Sequence, residues 1–66
     1  MITNRYIVRE KGKDGGRAVS TYKEALDAAK DWSQGTAGTI NIFDGPVLLA
    51  IVDVRGVTEI GYVSRN

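Results

Sequence analysis

The sequence contains no cysteine and no histidine, and these absences remove much of the chemistry that small proteins use. Without cysteine there is no disulfide framework, which favours a reducing, cytoplasmic location. Without either residue, the usual zinc ligands and the usual nucleophile and general-base pairs are missing. We therefore expect a binding protein and not an enzyme, with no cofactor and no metal.

Long hydrophobic runs and an excess of one charge are also lacking. The longest apolar run extends from Val47 to Val52, whereas a membrane-spanning helix needs about 20 apolar residues. Nine basic and eight acidic residues give a net charge of +1, far from the basic balance of a duplex-binding protein. We expect no membrane role, and nucleic-acid binding ranks behind other binding functions.

A chain of 66 residues predicts a single domain, residues 1–66, with a small core that association with a partner would help to stabilise. The first predicted strand is Arg5 to Glu10, and the glycine-rich segment Lys11–Arg17 is predicted to be a flexible loop. Thr21-Tyr22-Lys23-Glu24 forms a capping box, so a helix is predicted from Thr21 to a stop at Gly35.

Three more strands are predicted after the helix, because turn residues separate three apolar segments. The fold class is therefore α+β, in the order β-α-β-β-β, with one helix packed on one face of a four-stranded, mostly antiparallel sheet. The predicted strands are Thr39–Phe43, Val47–Val54 and Val57–Val63, with turns at Asp44-Gly45-Pro46 and Arg55-Gly56.

The segment Val47–Val54 does not alternate apolar with polar residues, so both of its faces need cover. One helix covers one face, and an apolar second face predicts a surface for self-association or for another protein. A turn at Arg55-Gly56 would place Val54 opposite Val57. In the alternative interpretation, the N-terminal arm or the long loop covers this face, or the strand is simply central. Which face the helix covers depends on the length of the turn at Asp44-Gly45-Pro46, so the opposite face, with Leu49 and Ile51, stays open as an alternative. The candidate partner-binding residues are Phe43, Leu48, Ala50, Val52, Val54 and Val57.

The glycine-rich loop carries several cations, and backbone amides freed by glycine can cradle an anion. This predicts, as an alternative function, binding of a nucleotide or another anionic small molecule. It is not a P-loop, because no Gly-Lys-Ser/Thr sequence follows, and a flexible connector explains the same composition. The candidate anion-binding residues are Arg9, Lys11, Lys13, Gly15, Gly16 and Arg17.

Carboxylates offer two further candidates. Glu24, Asp27 and Asp31 are spaced along one side of the predicted helix, where they would bind a hard cation or, as we favour, form a solvated face with local ion pairs. Asp53 is predicted to cap the last hairpin.

The overall pattern resembles that of very short accessory proteins of bacteriophages. It comprises Tyr6–Glu10, the glycine-rich loop, Ser20–Ala29, and a strand within Gly38–Gly45 that ends in Asp-Gly. The resemblance covers most of the chain as an order of elements and assigns no functional residue. It implies a protein that disarms a host factor by binding it, such as a polymerase, nuclease, defence complex or signalling nucleotide, in the host cytoplasm.

Overall fold

A computed structural model describes residues 5–60. This part of the chain contains one helix and a five-stranded antiparallel sheet with the order β2-β1-β3-β4-β5. No helix within residues 5–60 is long and apolar enough to cross a membrane. The elements are β1 (Tyr6–Glu10), β2 (Arg17–Val19), α1 (Tyr22–Thr36), β3 (Ile40–Asp44), β4 (Val47–Asp53) and β5 (Gly56–Glu59).

The predicted α+β class is confirmed, but the predicted four strands are wrong because β2 adds a fifth. β2 pairs with β1, with Tyr6 opposite Val19 and Val8 opposite Arg17. The segment predicted as a flexible loop, Lys11–Arg17, is therefore mostly the connection of a hairpin. A strand of three residues is too short to show the alternation by which strands are predicted.

The predicted N-cap at the start of α1 is confirmed, and Glu24 pairs with the Thr21 hydroxyl. Thr21 is the N-cap: its Oγ1 accepts a hydrogen bond from the backbone N–H of Glu24 at 3.1 Å and donates to Glu24 Oε1 at 3.1 Å. The predicted stop at Gly35 is slightly wrong, because the helix continues to Thr36. The left-handed residue that ends it is Ala37, with φ of 56°, and its N–H donates to Ser33 O at 2.8 Å.

The core lies between α1 and one face of the sheet. The small residues Ala25 and Ala29 are fully buried on the helix side, which allows the helix to lie close to the strands. The other buried apolar residues of this cluster are Tyr6, Val8, Tyr22, Ile40, Ile42, Leu49, Ala50 and Val52.

A β-bulge in β4 changes which residues face the helix. Ile42 lies opposite Ala50, but the next residue of β3, Phe43, lies opposite Leu48, so Leu49 is an extra residue in the ladder. Leu49 and Ala50 are consecutive and both are buried in the core. The missing alternation in this strand is therefore partly the result of the bulge, and not only of two apolar faces.

The last hairpin turns earlier than predicted. Asp53 lies opposite Gly56, so Val54 and Arg55 form the turn, and Val57 pairs with Val52 instead of Val54. The predicted role of Asp53 is confirmed, because its Oδ1 accepts a hydrogen bond from the Arg55 N–H at 2.8 Å. This bond closes the turn locally. The predicted extension of the last strand to Val63 lies outside the described residues.

Candidate protein-binding surface

We call the side of the sheet opposite α1 the helix-free face. Strand register places Ile7, Phe43 and Leu48 next to one another in one row across β1, β3 and β4. All three side chains are half-buried. The neighbouring row runs across β1, β3, β4 and β5 and consists of Arg9, Asn41, Ile51 and Thr58.

Arg9 is held across this face by two contacts. Its Nε donates a hydrogen bond to the carbonyl oxygen of Gly15 at 2.7 Å, and its guanidinium carbon lies 5.7 Å from the centroid of the Phe43 ring. A cation over an aromatic ring contributes about 0.5–1 kcal/mol at exposed sites. The side chain is therefore pre-positioned as a positive charge beside an aromatic ring.

Asn41 is a polar residue in the middle of the apolar face, between Arg9 on β1 and Ile51 on β4. Its Oδ1 is buried and has no hydrogen-bond partner among residues 5–60. Leaving a buried acceptor without a partner costs about 1–3 kcal/mol. Asn41 is not among the predicted site residues, although a polar residue between Ile40 and Ile42 is a signal that marks it in the sequence.

The predicted partner-binding residues do not form one surface. Phe43 and Leu48 lie on the helix-free face, as described above. Ala50 and Val52, by contrast, are fully buried under α1, so their place in the predicted surface is wrong. The reason is the bulge at Leu49, which puts Leu48 and Ala50 on opposite faces.

The remaining two predicted partner residues lie near the outer strand. Val54 is in the turn and is 65% exposed. Val57 pairs with the core residue Val52 and therefore lies on the helix side of β5, where it is 36% exposed. These two valines are separate from the helix-free face.

The predicted anion-binding residues are also divided. Arg17 pairs with the buried Val8 and so lies on the helix side of the sheet, whereas Arg9 lies on the helix-free face. The Lys13 N–H donates to Glu10 O at 3.1 Å, and the Gly15 carbonyl, not its amide, faces Arg9. The two arginines therefore do not converge on one anion, and anion binding by Lys11, Lys13, Gly15 and Gly16 stays a prediction.

A shallow groove separates β2 from α1. Arg17 and Val19 line one wall, and the acidic side of the helix, which includes Glu24, Asp27 and Asp31, lines the other. Arg17 thus supplies a positive charge opposite these carboxylates. Within residues 5–60, no group of three or more acidic side chains has the arrangement of a metal site.

An ion pair joins the start of the described chain to the end of β3. Both Nη2 and Nε of Arg5 contact Asp44 Oδ2, at 2.6 and 2.9 Å. This hydrogen bond lowers the pKa of the Asp44 carboxyl below its ordinary value. The contact lies at one end of the sheet, where Tyr6 of β1 pairs with Asp44 of β3.

Comparison with protein-family models, with curated proteins and with solved structures finds no match to this chain.

Proposed function

We propose that this protein is a non-enzymatic protein-binding module whose binding surface is the helix-free face. The observation that supports the proposal is the continuity of the face. Four apolar side chains lie there together, and within residues 5–60 the only helix packs on the other side of the sheet. These side chains are Ile7, Phe43, Leu48 and Ile51.

The polar residues of the face indicate the chemistry of the partner. Arg9 and Asn41 are adjacent across β1 and β3, and buried interface centres are typically aromatic and arginine anchors inside an apolar surround. A partner carboxylate would pair with Arg9, whose side chain is exposed. Asn41 Oδ1 is buried, so it is not offered to the partner. The partner surface that fits is apolar, with an acidic side chain near its centre.

One form of this function is the inhibition of a host factor, as the resemblance to short phage proteins implies. A small module that covers an apolar site on its target blocks whatever else must bind there. Binding of a nucleotide remains the alternative, and nucleotide-induced thermal shifts test it. Because Arg9 and Arg17 lie on opposite faces of the sheet, nucleotide binding has less support than protein binding.

The proposal is tested with two lysine substitutions in β4. Leu48→Lys changes the helix-free face, whereas Val47→Lys changes an adjacent residue that is 53% exposed and lies opposite Asp44. Proteins that the wild type retains from a bacterial lysate are identified, purified and measured for binary binding. We expect Leu48→Lys to weaken binding by about tenfold or more, and Val47→Lys to change it little.

A third variant distinguishes loss of binding from loss of folding. Arg9 is exposed, so Arg9→Glu should still fold while it reverses the charge offered to the partner. The loss of its contacts with Gly15 and Phe43 should lower the melting temperature by only a few degrees. If Leu48→Lys and Arg9→Glu, both folded by circular dichroism, bind every retained protein as tightly as the wild type, the helix-free face is not the binding surface.

A further inference from the structure

β5 is an outer strand with little protection. All four of its residues are exposed, and within residues 5–60 no strand pairs with its outer side. Natural edge strands are usually protected by lysine, proline, a bulge or short length. The other outer strand, β2, is only three residues long and begins with Arg17. β5 is four residues long and contains neither lysine nor proline, and its one charged side chain, Glu59, is drawn to the helix side by Tyr22.

The backbone of β5 presents hydrogen-bonding groups on that outer side. The Ile60 N–H donates to Leu49 O at 2.8 Å, which identifies Ile60 and Leu49 as a hydrogen-bonded pair. Because such pairs alternate along antiparallel strands, Thr58 and Gly56 also bond towards β4. The N–H and C=O groups of Val57 and Glu59 therefore point away from the sheet.

We propose that β5 pairs with β5 of a second copy of this chain, antiparallel, about a two-fold axis at Thr58. The outward groups of Val57 then bond to those of Glu59 in the second copy, and the reverse pair forms by symmetry. The two five-stranded sheets become one continuous sheet. This inference is independent of the proposed function, because edge pairing leaves the helix-free face uncovered.

The side chains of β5 match this axis. Thr58 lies opposite Thr58 of the second copy, and threonine pairs across strands are favourable. Ile60, which is 55% exposed, lies opposite Gly56, where a Cβ would meet no atom within 4 Å, so the isoleucine has room to pack. Glu59 faces Val57 and not another carboxylate.

Other antiparallel registers fit less well. An axis at Glu59 would place two carboxylates opposite each other, which is destabilising. An axis at Val57 would bring Arg55 into the ladder, although Arg55 belongs to the turn before β5. The axis at Thr58 instead uses Ile60, which follows β5 and still bonds to Leu49 of β4. A second copy also suits a domain of this size, because its own core is small.

The interface is small, so the dimer should be weak. Interfaces well below about 1,200 Å² are typical of transient association. Sedimentation velocity of the full chain from about 1 μM to 1 mM therefore covers the expected range. We expect the mean mass to rise with concentration from monomer towards dimer.

Charge substitutions at the axis give the decisive test. Thr58 is exposed and on the helix-free side, so Thr58→Lys and Thr58→Glu should both fold. Each places like charges opposite each other, and we expect the dimer dissociation constant to rise about tenfold or more at low salt. An equal mixture of the two variants should form a heterodimer.

Ala18→Lys is the matched control, since Ala18 is exposed on the other outer strand, β2, and on the same side of the sheet. It should dimerise like the wild type. The proposal is overturned by a wild type that stays monomeric at all concentrations, by undiminished dimerisation of Thr58→Lys, or by a mixture that does not associate. A dimer broken by Leu48→Lys but not by Thr58→Lys also overturns it and assigns self-association to the helix-free face.

Discussion

The hydroxyl of Tyr22, the first residue of α1, donates a hydrogen bond of 2.9 Å to Oε2 of Glu59, the last residue of β5. The bond is partly buried and joins residues far apart in sequence. It connects the start of the helix to a strand whose residues are all exposed. It also draws the Glu59 side chain towards the helix, while the Glu59 backbone points outwards.

Tyr22→Phe should therefore loosen β5 without disturbing the core. Phenylalanine keeps the packing of the Tyr22 ring on Tyr6, whose centroids are 6.1 Å apart, and removes only the hydroxyl. A hydrogen bond to a charged group contributes about 1.5–3 kcal/mol, and we expect a loss near the lower value. Urea unfolding measures the loss, and amide hydrogen exchange at Thr58 should quicken.

Glu59→Gln is the matched control, because an amide oxygen still accepts the Tyr22 bond without the charge. We expect it to destabilise the protein less than Tyr22→Phe does. Equal stability of Tyr22→Phe and the wild type would mean that this bond does not hold β5.

The end of α1 has its glycine two residues from the left-handed position. Gly35 is inside the helix, where glycine costs about 1 kcal/mol relative to alanine, while Ala37 adopts φ of 56°, which costs a non-glycine residue about 1–2 kcal/mol. Gly35→Ala and Ala37→Gly should each stabilise the protein by about 1 kcal/mol, measured by thermal unfolding. Destabilisation by Ala37→Gly would contradict the assigned cap.

The same region shows what local sequence can predict. Thr21 and Glu24 interact with their own neighbours, so the start of the helix was predictable from four residues. The sequence predicts Gly35 as the stop because glycine usually occupies the left-handed position. The cap instead follows from contacts around Ala37, including a hydrogen bond from the Gly38 N–H to Thr36 Oγ1 at 3.1 Å, and no propensity rule contains these.

Two other errors arose from tertiary structure. The bulge at Leu49 inserts one apolar residue into an apolar run, so the sequence around it looks the same with or without the bulge. Its effect was large, because it moved Ala50 and Val52 from the predicted surface to the core. β2 was missed because three residues become a strand only by pairing with β1.

Gly16 should tolerate no side chain, for a reason unrelated to anion binding. A Cβ built there would lie 2.7 Å from the carbonyl oxygen of Val8, a backbone atom of a fully buried residue that cannot move away cheaply. We expect Gly16→Ala to cost about 1–3 kcal/mol by forcing β2 from β1. Denaturant unfolding tests this.

Gly12→Ala is the control for Gly16→Ala, because it adds a Cβ at a positive φ without a close contact. Gly12 has φ of 81°, and a Cβ there would meet no atom within 4 Å, so only the conformational cost of positive φ applies, about 1–2 kcal/mol. Gly16, with φ of 159°, carries a conformational cost as well as the close approach. If Gly12→Ala destabilises the protein as much as Gly16→Ala does, close approach to Val8 is not the reason for the glycine.

The Arg5–Asp44 pair should stabilise the folded protein more at neutral pH than at acidic pH. The hydrogen bond from Arg5 lowers the pKa of Asp44 in the folded protein, so the unfolded chain binds a proton at higher pH than the folded one. The contribution is present above the unfolded pKa and is lost as the pH falls through the folded pKa. It should be small, because exposed ion pairs are weak and screened by salt.

Carboxyl NMR titration of Asp44 measures this effect directly. In Arg5→Gln, the pKa of Asp44 should rise towards its ordinary value, and high salt should produce part of the same rise in the wild type. Lys30→Gln removes a cation beside the Asp53–Gly56 hairpin, at the other end of β4 from Val47 and Asp44, and should leave the pKa of Asp44 in place. If Lys30→Gln moves that pKa as far as Arg5→Gln does, the shift reflects the overall charge of the protein and not the contact between Arg5 and Asp44.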